Sequence, residues 1–257
     1  MAKWTAFPHL GDFNFTAASV KKQWARLHAG DAEPLPTDAA VLDAWVLFHN
    51  GEFQKAAEAG LKVGGDGITV ANKATAIYAN YLEKKEKAKL DLFMEVAQRA
   101  EVQAAGDAKH ANALYWQAYA LGRYSQGISV AKALAQGLGS KVKDALERTI
   151  KLQPRHADAH IALGAFHAEV IDKVGTLIGG MTYGAKKDTG LKLFQEALKI
   201  NPASAIAMIE YANGLVMLEG DKKLKDATRL YEQAAATKPV DAMERLDVEL
   251  AKVELQD

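Results

Sequence analysis

Along most of the chain, apolar residues recur at three- and four-residue spacings, broken by short polar or glycine-bearing gaps; this is the pattern of amphipathic helices. Thr16 can cap a first helix that carries Val20, Trp24 and Leu27 on one face and stops at Gly30. Ala39–His49 reads as the next helix, and Asn50-Gly51-Glu52-Phe53, followed by Ala56, as the tight turn into its partner. Residues 68–82 and 85–104 make a further pair, separated by the charged run 83–87, which reads as a solvated helix junction. At the far end, residues 240–255 place Met243, Leu246, Leu250 and Val253 on one side of a closing helix, as the end of a repeat stack requires.

The C-terminal half repeats itself. Ala227-x3-Tyr231-x2-Ala234-x4-Pro239 is echoed by Phe194-x2-Ala197-x4-Pro202 and, more loosely, by Leu146-x2-Thr149-x4-Pro154. Small residues let two helices approach, the aromatic fills the gap beside them, and proline stops the helix before the next begins. Leu163-Gly164 and Tyr211-Ala212 supply the matching large-small pairs of the preceding helices. Pro202 to Pro239 is 37 residues, against a repeat of about 34.

Two neighbouring units carry extra material. Tyr119-Ala120-Leu121-Gly122-Arg123-Tyr124 aligns with Ile161-Ala162-Leu163-Gly164-Ala165-Phe166, and the glycine-to-proline separations are 32 and 38 residues, where the repeat consensus has about 24. The surplus falls at 125–140 and 172–187, between the first and second helix of each unit, so stacked repeats place both on one edge. Ile128, Val130, Leu134 and Leu138 in the first, and Val174, Leu177, Ile178, Met181 and Tyr183 in the second, are more apolar than water-facing loops need. Three readings stay open: a local mini-core, a subunit contact, or the lining of a ligand pocket.

These residues resemble the tetratricopeptide repeat superfamily from about residue 37 to residue 239. More narrowly, Leu121-Gly122-Arg123-Tyr124, Gly180-Met181-Thr182-Tyr183-Gly184-Ala185, Glu210-Tyr211-Ala212-Asn213-Gly214 and Ala242-Met243-Glu244-Arg245-Leu246 resemble the T-component proteins associated with tripartite TRAP-type transporters. That resemblance implies an all-helical protomer with an apolar channel or pocket, a protein partner, and assembly into a small ring. Periplasmic members carry an export signal and usually a lipidated cysteine; neither is present in this sequence, so two readings stay open: a cytoplasmic relative with a different partner, which is favoured, or a resemblance to the fold and its pocket alone.

Composition narrows the chemistry. With 257 residues, 49% of them apolar, the chain can bury a substantial core. Its 32 basic residues balance 32 acidic ones, which disfavours a general nucleic-acid binder. There is no cysteine, so disulfides, thiolate metal sites and thiol nucleophiles are excluded. No stretch approaches the roughly 20 apolar residues of a membrane span, and a cytoplasmic location is expected.

Candidate chemistry is sparse. His156 and His160, with His167 and Glu169 further along, have a spacing by which one helix can present metal ligands. His160 and His167 also fall where the helix packs on its partner, so capping and packing are the expected roles, with no metal. Gly137-Leu138-Gly139-Ser140-Lys141 lacks the strand and the Gly-Lys-Ser/Thr order of a phosphate loop, and reads as a flexible loop opening a helix. Arg123, Glu210 and Asn213 lie on first helices, where Arg123 can meet a ligand carboxylate or form a structural ion pair with Glu169 or Glu210. Trp45, Trp116 and Tyr119 read as core.

The expected fold is all-α, one continuous right-handed tetratricopeptide-like helical-hairpin solenoid: a capping helix in 1–36, about five hairpins in 37–239, and a capping helix in 240–257. The expected function is a non-enzymatic scaffold, without cofactor or catalytic residues, that self-associates or holds a protein partner. Its binding residues are Arg123, Tyr124, Ile128, Leu134, Leu138, Val174, Leu177, Ile178, Met181, Tyr183, Glu210 and Asn213. The alternative is a carrier of a hydrophobic small molecule.

Overall fold

The computed structural model describes residues 3–256, and among them every regular element is a helix. Helix α1 (Ala17–Leu27) is closed at its start by Thr16, whose hydroxyl accepts from the Ser19 amide while Ser19 reciprocates to the Thr16 amide. Its buried face is Val20, Trp24 and Leu27, as the spacing predicts; the helix ends at Leu27, a few residues short of Gly30.

Two compact units follow, and their chain paths exchange short segments. The first comprises residues 3–28, 33–152 and 240–243. In it α2 (Ala39–His49) pairs with α3 (Phe53–Val63), α4 (Gly67–Tyr81) with α5 (Glu86–Gly106), and α6 (Ala111–Gln126) with α8 (Leu138–Leu152) across the short α7 (Val130–Ala135). The first helices of successive hairpins also touch, α2 on α4 and α4 on α6. The junction at 83–87 is largely solvated, and Glu83 there accepts from both the Tyr78 hydroxyl and the Lys85 amide.

The second unit comprises residues 29–32, 153–239 and 244–256. It contains α9 (Ala157–Tyr183) paired with α10 (Lys187–Ile200), and α11 (Ala205–Glu219) paired with α12 (Leu224–Ala236), with α9 also lying against α11. The ring of Phe194, fully buried, stacks on Tyr211 and lies where a Cβ on Gly164 or Gly214 would stand, 3.0 and 2.4 Å from it. The repeat spacing therefore has a steric basis: glycine on two first helices makes room for one aromatic on the second helix between them.

Helix α13 (Ala242–Glu254) closes the chain. Val248 and Ala251 pack with Ala205, Ile209 and Ala234. Val253, expected on the packed side, is exposed instead, because two residues beyond Ala251 is more than half a turn round a helix of 3.6 residues per turn.

Glu219, the last residue of α11, ties two elements together by ion pairs to Lys187 at 2.7 Å and Lys222 at 2.6 Å. Hydrogen bonds from Lys187 and then Lys222 lower its pKa from 4.5 to about 2. A carboxylate depressed in this way contributes stability that is complete above pH 4.5 and is lost as pH falls toward 2. Glu219→Gln is expected to flatten that part of a plot of melting temperature against pH, leaving the neutral region little changed.

Candidate functional site

The second insertion is a helix, and its shape follows from two glycines. At Gly175 the backbone takes φ 80°, ψ 161°, which only glycine adopts cheaply, so α9 kinks there and a short stretch, 176–183, leaves in a new direction. Gly184 ends it in the left-handed conformation. Its amide donates to the Gly180 carbonyl, and the Ala185 amide donates to that of Gly179. The Lys186 amide then donates to Nδ1 of His167 at 3.2 Å, which holds the start of α10 against the stem of α9.

This stretch is inside out. Its buried position is Gly179, set against Val170 and Ala185, while Leu177, Ile178 and Met181 are 75%, 57% and 81% exposed. Residues 177 and 181, four apart, and 178 and 181, three apart, share one helical face, so the three form a continuous apolar ridge. Val174 and Tyr183 flank it half-buried, Tyr183 meeting Phe166 edge-on at 6.2 Å. The mini-core reading fails for Leu177, Ile178 and Met181, because these three side chains face water. The same exposure keeps them from walling an enclosed pocket.

The first insertion, in the other unit, is also mostly helical. Residues 137–141, read as a flexible loop, form a turn at Gly137 and the first residues of α8. Leu134 and Val130 are exposed on α7, Ile128 is half-buried, and Leu138 is buried. Tyr124 and Leu138 come together in one groove of about 460 Å³. Its remaining walls are Met94, Ala97, Gln98 and Glu101 of α5, Gln117 and Leu121 of α6, and Gln136 and Lys141 beside Leu138. Arg123 turns elsewhere: its guanidinium lies 5.4 Å from the Tyr119 ring and donates to Gln126 at 3.3 Å.

Asn213 serves the fold. Its Oδ1 accepts from the Tyr231 hydroxyl at 2.6 Å. Burial, with the Glu254 and Glu210 carboxylates nearby, pushes the Tyr231 hydroxyl up to about 12, so it remains a donor at neutral pH.

The histidines of the second unit cap and pack. His156 is the N-cap of α9, Nδ1 accepting from the Ala159 amide; His160 donates from Nδ1 to the His156 carbonyl. His110 caps α6 in the same way. No cluster of three or more metal-ligating side chains occurs among the described residues.

A buried polar chain in the first unit is absent from the sequence reading. Nδ1 of His49 lies 2.7 Å from a carboxylate oxygen of Asp241, and its Nε2 lies 3.3 Å from Nε2 of His28. The carboxylate fixes the proton on Nδ1 of His49, leaving Nε2 to accept from His28. Lys73, also buried, holds its ammonium 5.6 Å from the Trp45 ring centre and 5.2 Å from that of Phe48. The signal for Lys73 was in the sequence: it is the one charge within Gly67–Tyr81, otherwise small, apolar or neutral.

No protein-family profile matches the chain, and no curated protein matches it. No helix among the described residues is long and apolar enough to cross a membrane. Among solved structures, the chain is similar to a thermophilic TPR protein from Thermus thermophilus, with a TM-score of 0.58 and 14% identity, over 83% of this chain and 97% of that one. At that identity the likeness is one of fold: an all-α, tetratricopeptide-like stack of helical hairpins.

Proposed function

We propose that this protein is a non-enzymatic helical-repeat scaffold whose copies associate through the ridge Leu177, Ile178 and Met181. The observation that carries the reading is the inverted packing of 176–183, glycine inward and large apolar chains outward. Fully burying one such side chain is worth about 1.5–3 kcal/mol, so an association that covers the ridge gains several kcal/mol before its entropic costs. A second copy always offers the same ridge, and copies arranged about a symmetry axis can bring like surfaces together. The narrower resemblance to the T-component proteins, carried in part by Gly180 to Ala185, supports the same class of behaviour, a helical protomer that assembles and holds a protein partner.

The absence of cysteine makes a clean test available. Met181→Cys introduces a single thiol on the ridge, and Val102→Cys introduces one at an exposed site in the other unit. Mild oxidation is expected to convert most of the Met181→Cys protein to a disulfide-linked dimer while Val102→Cys stays largely single-chain. Equal yields from the two variants would contradict a ridge-to-ridge contact.

A further inference from the structure

Sulfur occurs in this chain only as methionine: there are six methionines and no cysteine. Five of the six lie among the described residues, and four of those are shielded by the fold. Met94, Met208 and Met243 are half-buried, Met208 packing on the core around Ala205 and Ile209, and Met217 is 38% exposed. Met181 is 81% exposed, the most of any large apolar residue among those described. Gly179 and Gly180 precede it in the helix and bring no side chain that could screen its sulfur.

A thioether so placed is open to peroxide. The sulfur lone pair attacks one peroxide oxygen; the O–O bond breaks, an S–O bond forms, and the departing hydroxide takes the proton of the attacked oxygen and leaves as water. The thioether is oxidised by two electrons to the sulfoxide, and hydrogen peroxide is reduced to water. No thiol in the chain competes for the oxidant. The product replaces an apolar tip by a strong acceptor, on the face that Met181 shares with Leu177 and Ile178. None of those side chains can donate, and a second copy set ridge to ridge brings only the same three. The oxygen is then buried without a partner, which opposes the contact.

We propose that Met181 is a reversible oxidation site that sets whether copies of this chain associate: the thioether permits the contact and the sulfoxide opposes it. The proposal rests on the ridge-to-ridge reading and adds its regulation. Oxidation takes place on the dissociated protomer, where the sulfur faces water. Association and oxidation therefore exclude each other, and concentrated protein is oxidised at Met181 more slowly than dilute protein. Reduction by a thiol-dependent sulfoxide reductase, in which two thiols give a disulfide and water, restores the apolar tip.

The test treats the full-length protein with hydrogen peroxide, follows each methionine by peptide mass mapping, and measures the self-association constant by sedimentation velocity before and after. Met181 is expected to oxidise ahead of the other four described methionines, and the association constant to fall by about tenfold or more. Methionine sulfoxide reductases of both stereospecificities, supplied with dithiothreitol, are expected to return it to its starting value. Met217→Leu, which removes the next most exposed described methionine, is expected to respond to peroxide as the parent does. Met181→Leu, compared with its own untreated sample, is expected not to respond. An unchanged constant at full Met181 oxidation, or an equal fall in Met181→Leu, would overturn the proposal. So would a fall that the reductases do not reverse. A parent that is a single chain before peroxide is added would overturn the self-association reading and this proposal with it, so the two failures give different results.

Discussion

Replacing Phe194 with alanine is expected to lower the unfolding free energy by about 3–5 kcal/mol, the largest effect of any single truncation in the second unit. The ring is fully buried, stacks on Tyr211 with centroids 5.5 Å apart, and packs with Ile161, Ala197 and Ala207. Gly164 and Gly214 border it with no side chains to swing into the space, so the cavity would persist. For a chain of this size the loss corresponds to a fall of roughly 6–20 °C in melting temperature. The converse change is informative. Gly214→Ala puts a Cβ 2.4 Å from the ring and is expected to cost about 1–3 kcal/mol by overpacking. Combining Gly214→Ala with Phe194→Leu should cost less than the sum of the two, because the smaller side chain leaves room for the new methyl group. Differential scanning calorimetry checks all three, and a Phe194→Ala protein melting within about 2 °C of the parent would contradict this packing.

Replacing Asp241 with alanine is expected to cost up to about 3 kcal/mol, because it leaves the Nδ1 proton of a fully buried His49 without its acceptor. The ring has little freedom to seek another partner. It is hemmed by Phe15, His28, Trp45 and Phe48, with centroids 5.8, 5.2, 5.9 and 5.3 Å away. Asp241→Asn keeps an oxygen in place, and a neutral hydrogen bond is about half as strong as a charge-assisted one, so the expected loss is smaller, about 1–2 kcal/mol. The pair spans 192 positions of sequence and fastens residues 240–243 to the first unit. Urea unfolding of the two variants is the check: equal losses would show that the acceptor oxygen is not what matters.

Much of the architecture was legible because it rests on local spacing. Pro154, Pro202 and Pro239 end α8, α10 and α12; of the large-small pairs that predict close helix approach, Leu163-Gly164 supplies one glycine bordering Phe194 and Tyr211-Ala212 supplies the ring it stacks on, while the second bordering glycine, Gly214, lies two residues beyond that pair. Thr16 could be read as a cap because its partner Ser19 lies three residues away. A capping role is among the sequence expectations for His156, but His110 was not legible as a cap, since the preferred N-cap residues are serine, threonine, aspartate and asparagine.

The sites were legible only in part, for two physical reasons. Composition marks 176–183 as unusual, but helical periodicity finds a buried face by its large apolar residues, and here glycine is buried while leucine, isoleucine and methionine are not. The His28, His49 and Asp241 chain depends on which distant segments meet, and no local pattern reports that. Tyr124 and Leu138 were identified individually; the glutamines that share their groove were not, because α5 and α6 belong to different hairpins.

The central claim is that the outward ridge of 176–183 exists to be covered by another copy of the chain. Static light scattering across a range of protein concentrations tests it most directly. The parent protein is expected at a multiple of its 27.8 kDa protomer mass, with Leu177→Glu combined with Met181→Glu reduced to the protomer at unchanged helicity. A parent mass of 27.8 kDa at every concentration, indistinguishable from that of the variant, would contradict it.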